Sequence, residues 1–187
     1  MKERKLMRLE GYDYSRSGYY FVTICTHQRE EWFGQVESGE MILNQYGEIV
    51  NHGWNDLPNH YLNCLLDTFV IMPNHIHGII VIDSKNRVGN GLKPFPTYGL
   101  SEIMRGFKTF SSRRINEMIK EGSKFQWQKS FYDHVIRNER SLDHLRQYIQ
   151  NNPLKWDLDI ENMENVRMYS HQKSCEDYYK EIIEGNR

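Results

Sequence analysis

Two histidines separated by a single residue, His75 and His77, are the side chains of this chain most suited to chemistry. They follow a Pro-Asn turn at residues 73–74 and open an apolar strand. Because successive strand side chains point to opposite faces, both imidazoles share one face, about 6.6 Å apart along the strand. Imidazoles at that spacing can lean toward one divalent cation. On its own, however, the pair is better explained by one exposed and one hydrogen-bonded histidine.

The composition is that of a globular protein with a sizeable core. The chain has 187 residues, of which 39% are hydrophobic and 13% aromatic, and its net charge is -1. Its charge is unevenly distributed: residues 105–129 carry seven basic and two acidic side chains, whereas residues 156–187 carry four basic and eight acidic ones. A basic middle beside an acidic tail suits an anionic partner, although a solvated helix surface explains it equally well.

The sequence gives no sign of secretion or of a membrane span. Its N-terminus has no apolar secretory segment, and no apolar run reaches the roughly 18 residues that a spanning helix needs. Three cysteines stand far apart and form no Cys-x-x-Cys unit, so neither a disulfide framework nor a zinc finger is indicated. We therefore expect a cytoplasmic protein that does not bind membranes.

Runs rich in β-branched and aromatic residues predict four main strands. These strands are expected at 19–26, at 131–137 and, as a pair, between about 65 and 82. A smaller hairpin over 33–43 should turn at Ser38 and Gly39. The glycine- and proline-rich stretch 83–99 is predicted to be a loop.

Helical spacing of apolar residues predicts three helices between and after these strands. The expected caps are Asn44, Ser101 and Ser141, and the expected stops are Pro58, Gly122 and Pro153. The tail offers one further short helix, over 175–184. The resulting order predicts a ferredoxin-like α+β fold, a split βαβ repeat with an antiparallel sheet, helices on one face and a C-terminal helix.

That C-terminal helix, after Ser141, carries a tyrosine and an asparagine that could meet the histidines. Leu142, Leu145 and Ile149 form its core stripe, and Tyr148 lies roughly 90° from the centre of that stripe. Asn152 is one turn further along on the same side. Taken alone, the two residues are better explained as a tyrosine packed at the core edge and a C-terminal cap.

Six short segments, taken in order, resemble the HUH single-strand transposases of the insertion-sequence type, and most closely the REP-associated tyrosine transposases. The segments are Tyr20–Thr23, Met72–His77, Arg105–Lys108, Trp127–His134, Ile136–Asn138 and Tyr148–Pro153. The resemblance covers about residues 11–157, so we predict a single domain over 1–187 with 158–187 as a C-terminal extension.

The resemblance implies a mechanism and assigns roles to residues. His75 and His77 would hold a divalent cation, Mg²⁺ or Mn²⁺, and Tyr148 would be the nucleophile. The position of Asn152 often holds glutamine in relatives and completes the metal site. Because asparagine is shorter, its contact could be direct or through water. The implied activity is cleavage and rejoining of single-stranded, hairpin-associated DNA through a covalent 5′-phosphotyrosine.

Further residues are predicted to contact DNA or to support the site. Basic side chains expected to hold the DNA backbone are Arg105, Lys108, Arg113, Arg114 and Lys129. Tyr132 is a rival nucleophile that could instead stack on bases, and His134 is expected to contact DNA or a metal ligand.

Two other functions remain open. A non-catalytic or domesticated nucleic-acid-binding protein of the same fold would explain Asn152 and the basic segment. A metal hydrolase is disfavoured because the sequence offers no clear carboxylate to stand beside the histidines, Asp83 being at the far end of their strand. We expect the substrate to be bacterial, nucleoid-associated DNA. The DNA target, the choice between monomer and homodimer, and the choice between a mobile-element and a host role are not determined by the residues.

Overall fold

A computed structural model describes residues 9, 11–83, 98–122, 124–163, 165 and 175–185. Most of the predicted loop at 83–99 lies outside these residues, as do the basic residues of the first eight positions. Within the described ranges, none of the helices combines the length and the hydropathy that crossing a membrane would require.

A four-stranded antiparallel sheet forms the centre of the molecule. Its strands are β1 (Gly18–Cys25), β4 (Cys64–Met72), β5 (His75–Ile82) and β6 (Tyr132–Ile136), in the spatial order β4-β5-β1-β6. Strands β2 (Gly34–Glu37) and β3 (Glu40–Leu43) form the predicted hairpin. All neighbouring pairs are antiparallel, and this order is that of a split βαβ repeat. The predicted α+β fold is confirmed.

The helices cover both faces of this sheet. They are α1 (Gln45–Asn55), α2 (Leu57–His60), α3 (Leu100–Met118), α4 (Glu139–Asn151) and α5 (Cys175–Glu184). On the first face, α1 and α3 pack against β5 residues such as Ile76 and Ile80. On the second face, α4 and α5 pack against Phe21 and Ile79. The period of two along β5 therefore separates the apolar core of α1 and α3 from the side that carries the histidines.

The helix caps test the local sequence rules. Asn44 caps α1 as predicted, its side chain accepting hydrogen bonds from two backbone N–H groups. The predictions for Ser101 and Ser141 are wrong. The chain instead enters α3 from extended Gly99 and enters α4 at Asn138, whose side chain accepts from the N–H of Ser141. The capping residues thus lie two residues before Ser101 and three before Ser141, where the backbone is still extended.

Helix ends also differ from expectation. Helix α1 ends at Asn55, before Pro58, but Pro58 itself lies in the first turn of α2, where a missing N–H costs nothing. Helix α3 ends at Met118, four residues before Gly122. The short helix predicted over 175–184 is observed as α5.

Candidate active site

Strand β5 brings the two histidines together on the second face of the sheet. Their ring nitrogens meet, with His75 Nε2 2.9 Å from His77 Nε2, and neither side chain has exposed surface. Pairing with β1 sets them opposite Cys25 and Thr23 respectively. The predicted common face is therefore observed, and the rings converge further than the strand spacing alone requires.

The orientation of the Asn74 amide determines the tautomer of His75. Its Nδ2 donates to the backbone carbonyls of Arg29 and Glu161, at 3.1 and 2.9 Å. Its Oδ1 therefore faces His75 Nδ1, at 2.8 Å, and accepts a hydrogen bond from it. With the proton on Nδ1, the Nε2 atom of His75 carries a lone pair.

A series of linked hydrogen bonds determines the tautomer of His77. Tyr179 donates to Glu161 Oε1 at 3.3 Å, and its oxygen is also hydrogen-bonded by Thr23. Since the tyrosine proton is already used, Thr23 donates to Tyr179 and its own oxygen accepts from His77 Nδ1, at 2.9 Å. The Nε2 atoms of His75 and His77 thus both present lone pairs, 2.9 Å apart.

Burial keeps the two imidazoles neutral. Loss of hydration lowers the pKa of His75 to about 3, helped by the positive charge of Arg29. The same loss of hydration holds the pKa of His77 well below its ordinary value. Two neutral acceptors in contact cannot satisfy each other, so a positive charge between them would resolve the conflict.

Tyr148 on α4 points its hydroxyl at this pair. Its oxygen lies 3.0 Å from His77 Nε2 and donates to Asp159 Oδ2 at 3.1 Å. Its ring also packs edge-on against Phe21. Burial, followed by the nearby negative charge of Asp159, holds the pKa of Tyr148 well above its ordinary value. The tyrosine is therefore a protonated phenol in this arrangement.

Asp159 is the residue that sequence reasoning missed. Its Oδ2 lies 4.0 Å from His77 Nε2, and the side chain is 1% exposed. The statement that no carboxylate stands near the histidines is thus wrong, while Asp83 does lie beyond the far end of β5. A 3₁₀ helix over Pro153–Leu158 turns the chain back to bring Asp159 there. The only local signal was the alternation of acidic and apolar residues over 158–161.

Asn152 joins the same cluster from the end of α4. Its Nδ2 donates to Asp159 Oδ2 at 2.7 Å. Its Oδ1 is buried and has no hydrogen-bond partner in the part of the chain that the structure describes. A buried acceptor without a partner is costly and is uncommon in native proteins. The residue is also the C-cap of α4, so the cap and cluster roles coexist.

The donor set fits a divalent cation. Ligand atoms of His75, His77 and Asp159 all lie within 4.8 Å of one another. Two ligands at right angles on an octahedral ion, with bonds of about 2.1 Å, would be about 3.0 Å apart. The observed 2.9 Å between the Nε2 atoms matches that separation. Mixed imidazole and carboxylate donors suit Mn²⁺ better than Mg²⁺, which prefers oxygen alone.

The other predicted site residues lie around or away from this cluster. Tyr132 on β6 packs its ring against Tyr179, with centroids 4.5 Å apart, and against Phe21. His134 pairs with Phe21 across the β1–β6 ladder, and burial lowers its pKa.

The predicted DNA-binding residues of α3 lie on the opposite face of the sheet from Tyr148. Arg105, Arg113 and Arg114 are exposed and form ion pairs within the helix, with Glu102 or Glu117. Lys108 instead donates to the backbone carbonyls of residues 128–130, so its ammonium is held within the protein. The carbonyl of Lys129 is one of these acceptors.

Comparison with known proteins defines the class. The model of the family described as "Transposase IS200 like" matches residues 15–152, and the chain belongs to that family. A Haemophilus influenzae protein described only as uncharacterized is 37% identical over 169 residues, 83% of this chain and 91% of that protein. The solved structure of a REP-associated tyrosine transposase bound to a REP hairpin shares the fold. It aligns with a TM-score of 0.54 and 20% identity, covering 80% of this chain and 74% of the other.

Proposed function

We propose that this transposase cleaves and rejoins single-stranded, hairpin-associated DNA with Tyr148 as its nucleophile and a divalent cation as its cofactor. The observation that supports this most directly is the 3.0 Å contact between the Tyr148 hydroxyl and His77 Nε2. It places a phenol beside two converging imidazole lone pairs in one chain. A nucleophile within reach of a cation-binding group is the arrangement that phosphoryl transfer needs.

The chemistry exchanges one phosphoester for another. The Tyr148 oxygen attacks the phosphorus, the bond from phosphorus to the 3′ oxygen breaks, and a 5′-phosphotyrosine remains. The phenol proton passes to solvent water, and the departing 3′ oxygen takes up a proton as a hydroxyl. Attack by a second 3′-hydroxyl on the phosphotyrosine rejoins the strand and returns the phenol. A cation bound by His75 and His77 would stabilise the negative charge that develops on the phosphate.

The surrounding residues hold the reacting groups in place. Asn74 and Thr23 fix the two ring orientations, so both Nε2 atoms keep their lone pairs. Asp159 accepts the hydrogen bond of the Tyr148 hydroxyl and so holds its oxygen 3.0 Å from His77 Nε2 before the site opens. Holding these groups in place reduces the conformational entropy that must be lost before the Tyr148 oxygen can attack the phosphorus in line.

DNA can reach this site only if the C-terminal segment moves. His75 and His77 have no exposed surface. Trp156 lies over His75, with ring centroids 5.9 Å apart, and Tyr179 of α5 lies against His77 at 5.9 Å. We infer that the 3₁₀ helix Pro153–Leu158 and α5 move away from the histidines before strand cleavage.

The partner we propose is hairpin-forming DNA with a single-stranded flank. The similar solved structure is of a transposase bound to a REP hairpin. Arg105, Arg113 and Arg114 offer exposed positive charge for a DNA backbone on the α3 side. Contact there would leave the second face of the sheet for the strand that is cut.

A covalent-capture assay tests the proposal. A pool of 3′-labelled oligonucleotides, each with one hairpin and randomised single-stranded flanks, is incubated with protein and Mn²⁺. The 3′ label should migrate with the protein on a denaturing gel, because the 5′ end of that fragment stays on the tyrosine. Tyr148→Phe should abolish the band, and the matched variant Tyr132→Phe should retain it. A band that survives Tyr148→Phe would contradict the assignment.

Asp159 also favours a second candidate, hydrolysis by metal-activated water. A carboxylate beside two imidazoles is a common donor set for such chemistry. Its products would be a free 5′-phosphate and a 3′-hydroxyl, with no protein-linked label. Cleavage that is unchanged in Tyr148→Phe, without an adduct in either protein, would favour this candidate.

A further inference from the structure

We propose that Asp159 is a direct ligand of the cation and that Asn152 acts by positioning its carboxylate. This inference rests on the cation site of the proposed function and changes which residue completes it. The expected set of His75, His77 and Asn152 is neutral, whereas replacing the amide by Asp159 supplies one negative charge. The third ligand then comes from the part of the chain that follows α4, the helix that carries Tyr148.

Asp159 is a buried acid that has no arginine or lysine partner among the described residues. Among the described residues, its oxygen contacts are the Tyr148 hydroxyl, the Asn152 amide and the backbone N–H of Glu161. Its one ion-pair distance is the 4.0 Å from Oδ2 to His77 Nε2, and the proton of that imidazole lies on Nδ1, toward Thr23. Buried charges are normally paired or bound to metals, because removing them from water is costly.

The neighbouring acid, Glu161, shows the contrast. Its Oε2 accepts a hydrogen bond from Arg29 and forms an ion pair with it. Its Oε1 accepts a hydrogen bond from the Tyr179 hydroxyl. The two acids are buried to a similar degree, at 1% and 3% exposed. Glu161 is thus neutralised by an arginine, whereas a cation at the histidines would neutralise Asp159.

The position of Asn152 supports a positioning role for its amide. Its Nδ2 donates to Asp159 Oδ2, the same oxygen that lies nearest to His77. This hydrogen bond holds the carboxylate toward the imidazole pair. The partnerless Oδ1 is an independent sign that a group is missing from this buried cluster, because such acceptors are otherwise satisfied.

If Asp159 binds the cation, the cation is linked to the chain segment that precedes Asp159 and covers the histidines. Asp159 follows the 3₁₀ helix whose Trp156 lies over His75. A cation bound to both the sheet and Asp159 would hold this segment closed. Asp159 and a DNA phosphate would then compete for the same coordination position.

Manganese binding by the full-length protein tests the inference without any DNA. Free Mn²⁺ is measured by electron paramagnetic resonance during titration of wild type, Asp159→Asn, Asn152→Ala and the control Asp157→Asn. Asp157 is exposed and two residues away, so it receives the same chemical change outside the cluster. We expect Asp159→Asn to weaken Mn²⁺ binding at least about 100-fold, Asn152→Ala about 10-fold, and Asp157→Asn less than about 2-fold.

Thermal unfolding in EDTA separates ligand loss from misfolding. Removing an uncompensated buried charge should leave metal-free Asp159→Asn at least as stable as metal-free wild type. Added Mn²⁺ should then raise the melting temperature of wild type but not of the variant. Equal Mn²⁺ affinity in wild type and Asp159→Asn would overturn the ligand assignment while leaving the proposed function intact. Failure of wild type itself to bind Mn²⁺ would overturn both.

Discussion

An ion pair between the sheet and α4, the helix that carries Tyr148, gives a quantitative prediction. Arg146 on α4 donates from Nε to Asp67 Oδ1 at 2.9 Å and from Nη2 to Oδ2 at 2.6 Å. Asp67 lies where the pairing of β4 with β5 shifts register, between Leu66 and Phe69. Tyr148, the proposed nucleophile, is two residues further along α4, so we expect the pair to help set its height above the sheet.

The coupling free energy between Asp67 and Arg146 can be estimated from the geometry and the solvent exposure of the pair. Hydrogen bonds to charged groups contribute about 1.5–3 kcal/mol when well shielded, and exposed ion pairs about 0.2–1 kcal/mol. The Arg146 and Asp67 side chains are 34% and 15% exposed, between these cases. We therefore expect a coupling free energy of about 1–2 kcal/mol, intermediate between the two ranges.

A double-mutant cycle measures this coupling. Urea unfolding at pH 7 is compared for wild type, Asp67→Asn, Arg146→Gln and the double variant. In a parallel thermal-unfolding experiment, a loss of about 1–2 kcal/mol in each single variant should lower the melting temperature by about 2–8 °C, given the size of the chain. A coupling below about 0.3 kcal/mol would refute the reasoning, because it would be typical of a fully exposed pair.

The pH dependence gives a second check on the same pair. Hydrogen bonding from Arg146 lowers the pKa of Asp67 below its ordinary value of 3.8. A lowered folded-state pKa means that the stabilisation is complete above the unfolded-state pKa and is lost as pH falls through the folded-state value. The stability difference between wild type and Arg146→Gln should therefore be constant near neutrality and shrink below about pH 3.8. A difference that grows on acidification would contradict this sign.

Three further substitutions test packing, ligand orientation and the role of one lysine. Gly78→Ala should destabilise the protein by about 1–3 kcal/mol in urea unfolding, because its Cβ would lie 2.5 Å from the Trp54 ring. Thr23→Val removes the acceptor for His77 Nδ1, and Mn²⁺ titration should show binding weakened about 10–100-fold; unchanged affinity would contradict the orienting role. Lys108→Met should lower stability by about 1 kcal/mol through its lost carbonyl contacts, with hairpin-DNA affinity in a filter-binding assay within about 2-fold of wild type.

The parts of the site that could be predicted from the sequence depend on local periodicity. The period of two along β5 places His75 and His77 on one face, and the helical period along α4 turns Tyr148 toward that face. The strands and the hairpin follow from β-branched runs and turn residues in the same way. Each of these inferences needs only neighbours within one element.

The rest depends on contacts between residues far apart in the chain. Asp159 reaches His77 because a 3₁₀ helix turns the chain and Trp156 packs over His75, neither of which has a periodic signal. The Asp67–Arg146 pair likewise joins a strand to a distant helix. A basic segment indicates positive charge, but tertiary packing decides that α3 lies on the face opposite Tyr148.

Mapping the DNA-linked residue by mass spectrometry tests the central claim most directly. The covalent adduct formed in Mn²⁺ is digested with nuclease and trypsin, leaving a short nucleotide tag on one peptide. Trypsin places Tyr148 in residues 147–155, Tyr132 in residues 130–137, and Tyr178 with Tyr179 in residues 174–180. The mechanism predicts the tag on residues 147–155, at Tyr148. A tag on either of the other two peptides would contradict it.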